Sequence, residues 1–263
     1  MFDDFIATAR TNNTASITAD WGQGRTAFGG LLAAMTCAHG QQKLGEVRPL
    51  RSVAVTFSAP LQTDSPFELI SELISEGRSV SHVQSRAVQG SKICCVVNAC
   101  YAVQRDSAVA VKGERLLVKP SYNAGKPLPY IPGIVPAFTQ HIDFRYCEGG
   151  LPFSGSKETG ISGYMGFRQP VTVMDDIAIL ALVDAWPPAV LPMLRQPAPA
   201  SSITWQMDFI QPRAELPTEQ ALFYRVKIRH AEDGLAHTEA RVYAPSGELI
   251  ALSRQLVGIY DKR

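Results

Sequence analysis

Residues 176–192 read DIAILALVDAWPPAVLP, an apolar helical run that ends in a single acid, Asp184, two residues before Trp186 and a Pro187–Pro188 pair. A carboxylate near a helix C-terminus is opposed by the helix dipole, by about 0.3–1 kcal/mol. Burying it without a partner costs more still. Such an acid is either tied to hydrogen-bond donors or poised with a raised pKa, the condition a general base exploits. The plainer alternative is a carboxylate that caps a neighbouring loop or lies exposed beside Pro187. The other chemistry-bearing residues are less organised. The five histidines (His39, His82, His141, His230 and His237) are scattered, and none has zinc-site spacing. The five cysteines include the adjacent pair Cys94–Cys95 but no CxxC motif, which reads as buried free thiols of a reducing cytoplasm. No GxSxG motif occurs, and FSGSKETG (153–160) lacks the strand-turn-helix setting of a nucleophilic serine.

The elements that must hold Asp184 belong to a chain of 263 residues, long enough for one large domain or two small ones. Hydrophobic residues make up 46% and charged residues 19%, the profile of a soluble fold. With 25 basic and 24 acidic side chains and no basic run, neither nucleic acid nor an anionic membrane is an expected partner. The N-terminus MFDDFIATAR is acidic and lacks the apolar core of a secretory signal. No apolar segment approaches the roughly 20 residues that cross a bilayer. These features together point to the cytoplasm.

The stretch KPSYNAGKPLPYIPGIVP (119–136) has linker composition, with five prolines and two glycines. On either side the chain repeats a plan. The first half has an apolar helix at 31–39, then strands at 53–60, 67–77, 79–90 and 92–103. The second has a helix at 176–185, then strands at 202–212, 221–234, 235–247 and 248–260. The first strand after each helix closes on Phe-x-x-Pro. The turns Gln89–Gly90 and Ser246–Gly247 are offset by 157 residues. A further strand is expected before each helix, at 15–21 and 138–149. A short helix cannot cover itself, and a curved antiparallel sheet offers one apolar face to wrap it. Two such units can join edge to edge, which removes two open edges.

Trp21, AFGG (27–30), SVAVTFSAPL (52–61), SEGRSVSHVQSRAVQGSKI (75–93) and the matching pattern in the second half resemble the TesB-like (type II) double-hotdog acyl-CoA thioesterases. The resemblance implies an α+β fold: two antiparallel sheets, each wrapped around a central helix and joined edge to edge. It implies an N-terminal hotdog over 1–110, a linker over 111–137 and a C-terminal hotdog over 138–263 that carries the catalytic set. The family's Asp, Thr or Ser, and Gln correspond here to Asp184, Ser202 in ASSITWQM and Gln255 in LSRQLVG, with serine standing where threonine is commoner. It further implies an acyl-CoA substrate, a place in lipid and fatty acid metabolism, and no cofactor or metal. Two hotdogs in one chain already make a dimer-like unit, which fits a monomer, while the resemblance implies that further association into a homo-oligomer is open.

Thioester hydrolysis needs a water held against the carbonyl carbon and donors aimed at the oxygen that becomes negative. Asp184 can take a proton from that water or grip it. Ser202 and Gln255 add a hydroxyl and an amide. Gly29 and Gly30 open the first helix, where free N–H groups and a partial positive charge suit an oxyanion; tight packing of the two glycines is a compatible reading. Gln255 and Ser253, two apart in their strand, could instead face solvent. Counting back by the turn offset, Gln255 corresponds to Asn98, but helix 31–39 has no acid, so one site per chain is expected. Trp186, Pro187, Pro188 and Met193 could line an acyl tunnel or pack in the core. The competing functions are a non-catalytic acyl-CoA or acyl-carrier binder and an enoyl-CoA hydratase. The second is disfavoured because no histidine lies between His141 and His230.

Overall fold

Phe2, Ile6 and Ala9 fall on one side of a helix, and all three are buried in α1 (Phe2–Thr11), an element the sequence reading left unassigned. The computed structural model describes residues 1–261. The next elements are β1 (Thr14–Ala15), β2 (Gly22–Gln23), β3 (Thr26–Ala27), α2 (Gly29–Gln41), β4 (Leu50–Phe57), β5 (Phe67–Glu76), β6 (Val80–Gln89) and β7 (Lys92–Ala102). After the connection come β8 (Lys126–Pro127), β9 (Ile142–Glu148), β10 (Gly160–Phe167), α3 (Asp176–Asp184), β11 (Ala200–Phe209), β12 (Leu222–Glu232), β13 (Leu235–Tyr243) and β14 (Leu249–Ile259).

The strands form one antiparallel sheet of twelve, in the order β1-β5-β6-β7-β4-β11-β14-β13-β12-β10-β9-β8, with β2 and β3 as a separate hairpin. The two sheets, expected to join edge to edge, run on as a single continuous one. The seam is β4 against β11, with Val55 opposite Trp205 and Val53 opposite Met207. Pairing these strands satisfies the backbone groups of what would otherwise be two exposed edges.

Both central helices are apolar all round, as a helix buried on every side must be. Gly30 through Gly40 are buried in α2, and Ile177 through Val183 in α3. Asp175 caps α3 by accepting the Ala178 N–H at 2.9 Å. The two helices lie against each other at one point of near backbone contact: a Cβ on Gly30 would sit 2.6 Å from the Ala181 carbonyl oxygen. Only glycine permits that approach.

Two expected strands are shorter than the sequence suggested. Of residues 15–21, only Ala15 pairs in the sheet, while Ala19–Trp21 form a 3-10 turn. Of 138–149, the start is a second 3-10 turn (Ala137–His141) and the rest is β9. Strand β10 had no sequence signal because Gly160, Gly163 and Gly166 give it loop composition. Gly163 is required there, since a Cβ would fall 2.0 Å from the Arg145 carbonyl oxygen and 2.7 Å from the Trp186 ring. Part of the connecting segment joins the second half: β8 pairs with β9, and Arg115 bridges to Glu248. No helix is long and apolar enough to cross a membrane among the described residues.

Candidate active site

The N-terminus of α2 abuts the C-terminus of α3, which answers the unfavourable placement of Asp184. The α3 dipole repels the carboxylate, but the first-turn amides of α2 face it and the positive end of that helix offsets the repulsion. The Gly30 backbone amide lies beside the Asp184 carboxylate and favours its ionised form. A Cβ on Gly29 would lie 2.9 Å from Asp184 Oδ2, so the glycine also makes room for the acid. On its other side Gln255 Nε2 donates to Asp184 Oδ1 at 2.9 Å. Burial pushes the Asp184 pKa up to about 7, against the pull of the Gln255 amide and the Gly30 backbone amide toward the ionised form.

Gln255 reaches Asp184 because of its place in β14. It stands opposite Trp205 of β11, with its side chain on the inner face along with Ala251, Ser253 and Val257. Ser253 is buried and accepts the Trp205 indole N–H at 2.8 Å. The solvent-facing alternative for Gln255 and Ser253 is thus excluded by the register.

Ser202 lies at the start of β11, where the pairing with β14 slips by one residue between Ser202 and Thr204. Such a bulge re-aims a side chain out of the regular alternation. Ser202 is half-buried, and among the described residues no hydrogen bond joins it to Asp184 or Gln255. All three nevertheless border one cavity of about 920 Å³, together with Gly29. A smaller cavity of about 190 Å³ beside Trp21 and His141 contains none of them.

The large cavity has a mainly apolar wall. Trp186, Pro187 and Pro188 are part of it, whereas Met193 is 41% exposed and lies off the lining. The Trp186 ring is held rigidly: it stacks on Tyr224 at 5.5 Å and meets the edge of Phe144 at 5.6 Å. Phe57, Phe138, Phe144 and Phe153 also line the space, and sequence reasoning singled out none of them. They belong to different strands and loops, and no local pattern marks convergence on a common volume.

The first half has no equivalent site. Asn98 is exposed and accepts from Gln84 Nε2 at 2.9 Å. Matching Phe57 to Phe209 by the shared Phe-x-x-Pro places Val53 with Trp205, and Val53 is opposite Ala99. The residue that corresponds to Gln255 is therefore alanine, one position away from the turn-based count. A slip of one residue in a strand exchanges inner for outer face. At the other end of the helix pair the space is filled by an ion pair, Arg213 Nη1 to Asp176 Oδ1 at 2.6 Å, with Gln211 Nε2 donating to Asp176 at 3.2 Å. The five cysteines are free thiols. Burial pushes Cys37 up to about 12 and Cys95 higher, so neither is a ready nucleophile.

The cavity thus joins a carboxylate that titrates near neutrality to an amide, a hydroxyl, a helix N-terminus and an apolar bay. That set can hold and deprotonate one water beside a long, largely apolar substrate.

Two family models match the chain: the acyl-CoA thioesterase N-terminal domain over residues 17–103 and the acyl-CoA thioesterase C-terminal domain over residues 120–259. No curated protein matches it. Among solved structures, it is similar to a hot dog fold protein of Alicyclobacillus acidocaldarius at 20% identity and TM-score 0.84, covering 100% of this chain and 98% of that one. A TesB protein of Mycobacterium avium subspecies paratuberculosis superposes with TM-score 0.77 at 17% identity, over 99% and 100% of the two chains. The acyl-CoA thioesterase II TesB2 of Mycobacterium marinum does so with TM-score 0.68 at 18% identity, over 90% and 91%.

Proposed function

Because the chain belongs to the acyl-CoA thioesterase family and is a thioester hydrolase, we propose that it cleaves an acyl-CoA to free acid and CoA with a water activated by Asp184. The water is held by Asp184, Gln255 and Ser202, and its oxygen attacks the thioester carbonyl carbon directly. Asp184 accepts the proton as the C–O bond forms. Collapse of the tetrahedral intermediate breaks the C–S bond, and the proton passes to the departing sulfur. No acyl-enzyme forms. The amide of Gly30 is engaged with the Asp184 carboxylate, so in this reading it positions the base. Gly29, at the free end of α2 and in the cavity wall, is left to face the oxyanion.

We read the single sheet as two fused hotdog halves, 1–110 and 138–263, joined through 111–137. Each half contributes to the one site: the helix N-terminus from the first, and the acid, hydroxyl and amide from the second. The observation that carries the proposal is the Gln255–Asp184–Gly30 cluster at the wall of the apolar cavity.

The test is release of free thiol from a panel of acyl-CoAs, repeated with Asp184→Asn. Turnover in the wild type, lost in a variant that still binds acyl-CoA, is the expected result. Binding without turnover of any substrate would reassign the protein as an acyl-CoA binder. Loss of an enoyl thioester without thiol release would make it a hydratase.

A further inference from the structure

Phe153, Asp64 and Asp233 are the non-glycine residues with left-handed backbone among those described, Phe153 at φ 64°. Aspartate visits this region readily, but a bulky aromatic residue does not. The same loop also has Gly149 and Gly155 at positive φ, where glycine meets the requirement without strain. A phenylalanine here gains nothing from the backbone, so its side chain must account for it.

The conformation is imposed by cross-bracing between its loop and the 3-10 turn Leu191–Met193 with the residue that follows it. The Phe153 N–H donates to the Leu191 carbonyl at 2.9 Å, the Gly155 N–H to Leu194 at 3.0 Å and the Ser156 N–H to Pro192 at 2.8 Å. The Ser154 hydroxyl adds a longer bond to Pro192 at 3.4 Å. Leu191 follows Asp184 by seven residues and lines the same cavity, as do Leu151, Pro152 and Phe153. An over-determined outlier in the wall of a binding space points to a functional constraint.

We propose that Phe153 is a specificity-determining residue whose ring closes part of the acyl bay and sets the longest acyl chain the site accepts. This rests on the thioesterase reading for its substrate, but not for its test. The experiment uses saturated acyl-CoAs from butyryl to palmitoyl for kcat/KM, and the corresponding free fatty acids for calorimetric binding. Each methylene that finds apolar surface adds about fourfold, equivalent to about 0.8 kcal/mol. In the wild type the rise stops at a limiting length. In Phe153→Gly and Phe153→Ala it continues beyond that length, and in Phe153→Trp it stops earlier. A limit that stays in place in all three variants, or a wild type with no limit, overturns the proposal. Fatty-acid binding with the shifted limits but no acyl-CoA turnover would sink the thioesterase reading alone. Neither binding nor turnover would overturn both.

Discussion

Gln255 and Asp184, 71 residues apart in the chain, meet through a 2.9 Å hydrogen bond from the amide Nε2 to the carboxylate Oδ1. The bond fixes which oxygen is occupied and leaves the rest of the carboxylate to Gly30 and the cavity. It also favours the charged form of an acid that burial drives toward neutrality. On the proposed mechanism, activity and stability would both depend on the titration of this one carboxylate.

If the ionised form of Asp184 is the base, kcat/KM should rise with pH and level off with an apparent pKa of about 7. Stability has the opposite sign. The folded-state pKa lies above the ordinary 3.8, so the folded protein holds a proton that the unfolded chain releases. Stability should fall as pH rises from about 4 to about 7, by at most about 4 kcal/mol, and less because Asp184 fronts an open cavity. Asp184→Asn should abolish hydrolysis, remove this fall and unfold at a higher temperature than the wild type at about pH 8. A variant and a wild type with parallel melting curves across that range would contradict the assignment.

Gln255→Leu removes a donor that stabilises the ionised acid. The apparent pKa of the rate profile should move above 7, and kcat/KM at neutral pH should fall by about fivefold for the first pH unit of movement and by up to about tenfold for each further unit. The pH–rate profile is the measurement. A profile that keeps its midpoint would show that Gln255 acts elsewhere.

The two glycines that open α2 should respond differently to alanine. Gly30→Ala drives a Cβ into the Ala181 carbonyl, a backbone atom that cannot swing away, and should cost about 1–3 kcal/mol in denaturant unfolding. Gly29→Ala meets Asp184 Oδ2 at 2.9 Å and the Phe57 ring at 3.3 Å. It should displace the base and lower kcat/KM by about 10²-fold with a smaller effect on stability. The idea fails if the two variants show the same ratio of activity loss to stability loss.

Ser202→Ala and Ser253→Ala separate catalysis from packing in neighbouring strands. Ser202 borders the cavity, and its loss should lower kcat by about 10²-fold with the melting temperature little changed. Ser253 accepts the Trp205 indole N–H in the core, and its loss leaves that donor unsatisfied at a cost of about 1–3 kcal/mol. Steady-state kinetics beside thermal melts would reveal any reversal of these roles.

Much of this architecture was legible before the structure. The alternation in residues 67–77, 79–90 and 92–103 marked three strands that the structure places at Phe67–Glu76, Val80–Gln89 and Lys92–Ala102. The apolar runs after AFGG and at 176–185 marked both central helices. Elements with weaker composition escaped: α1, because a short amphipathic segment resembles a surface loop, and β10, because glycines required by close packing imitate a turn. Among the candidate residues, Asp184 could be questioned from its own surroundings, while Ser202 and Gln255 were recognisable only through the family resemblance.

The sequence by itself determined which residues alternate, which helices are apolar all round and that one acid ends the second of them. Those properties depend on neighbours within a few positions, where backbone geometry sets the spacing. Only the tertiary structure decided that β4 and β11 fuse the halves into one sheet, that the positive end of α2 meets the acid and that Gln255 turns inward to it. The titration of Asp184 near neutrality belongs to that second class. Desolvation and hydrogen bonding act over a few ångströms of space, and the groups that exert them come from distant parts of the chain.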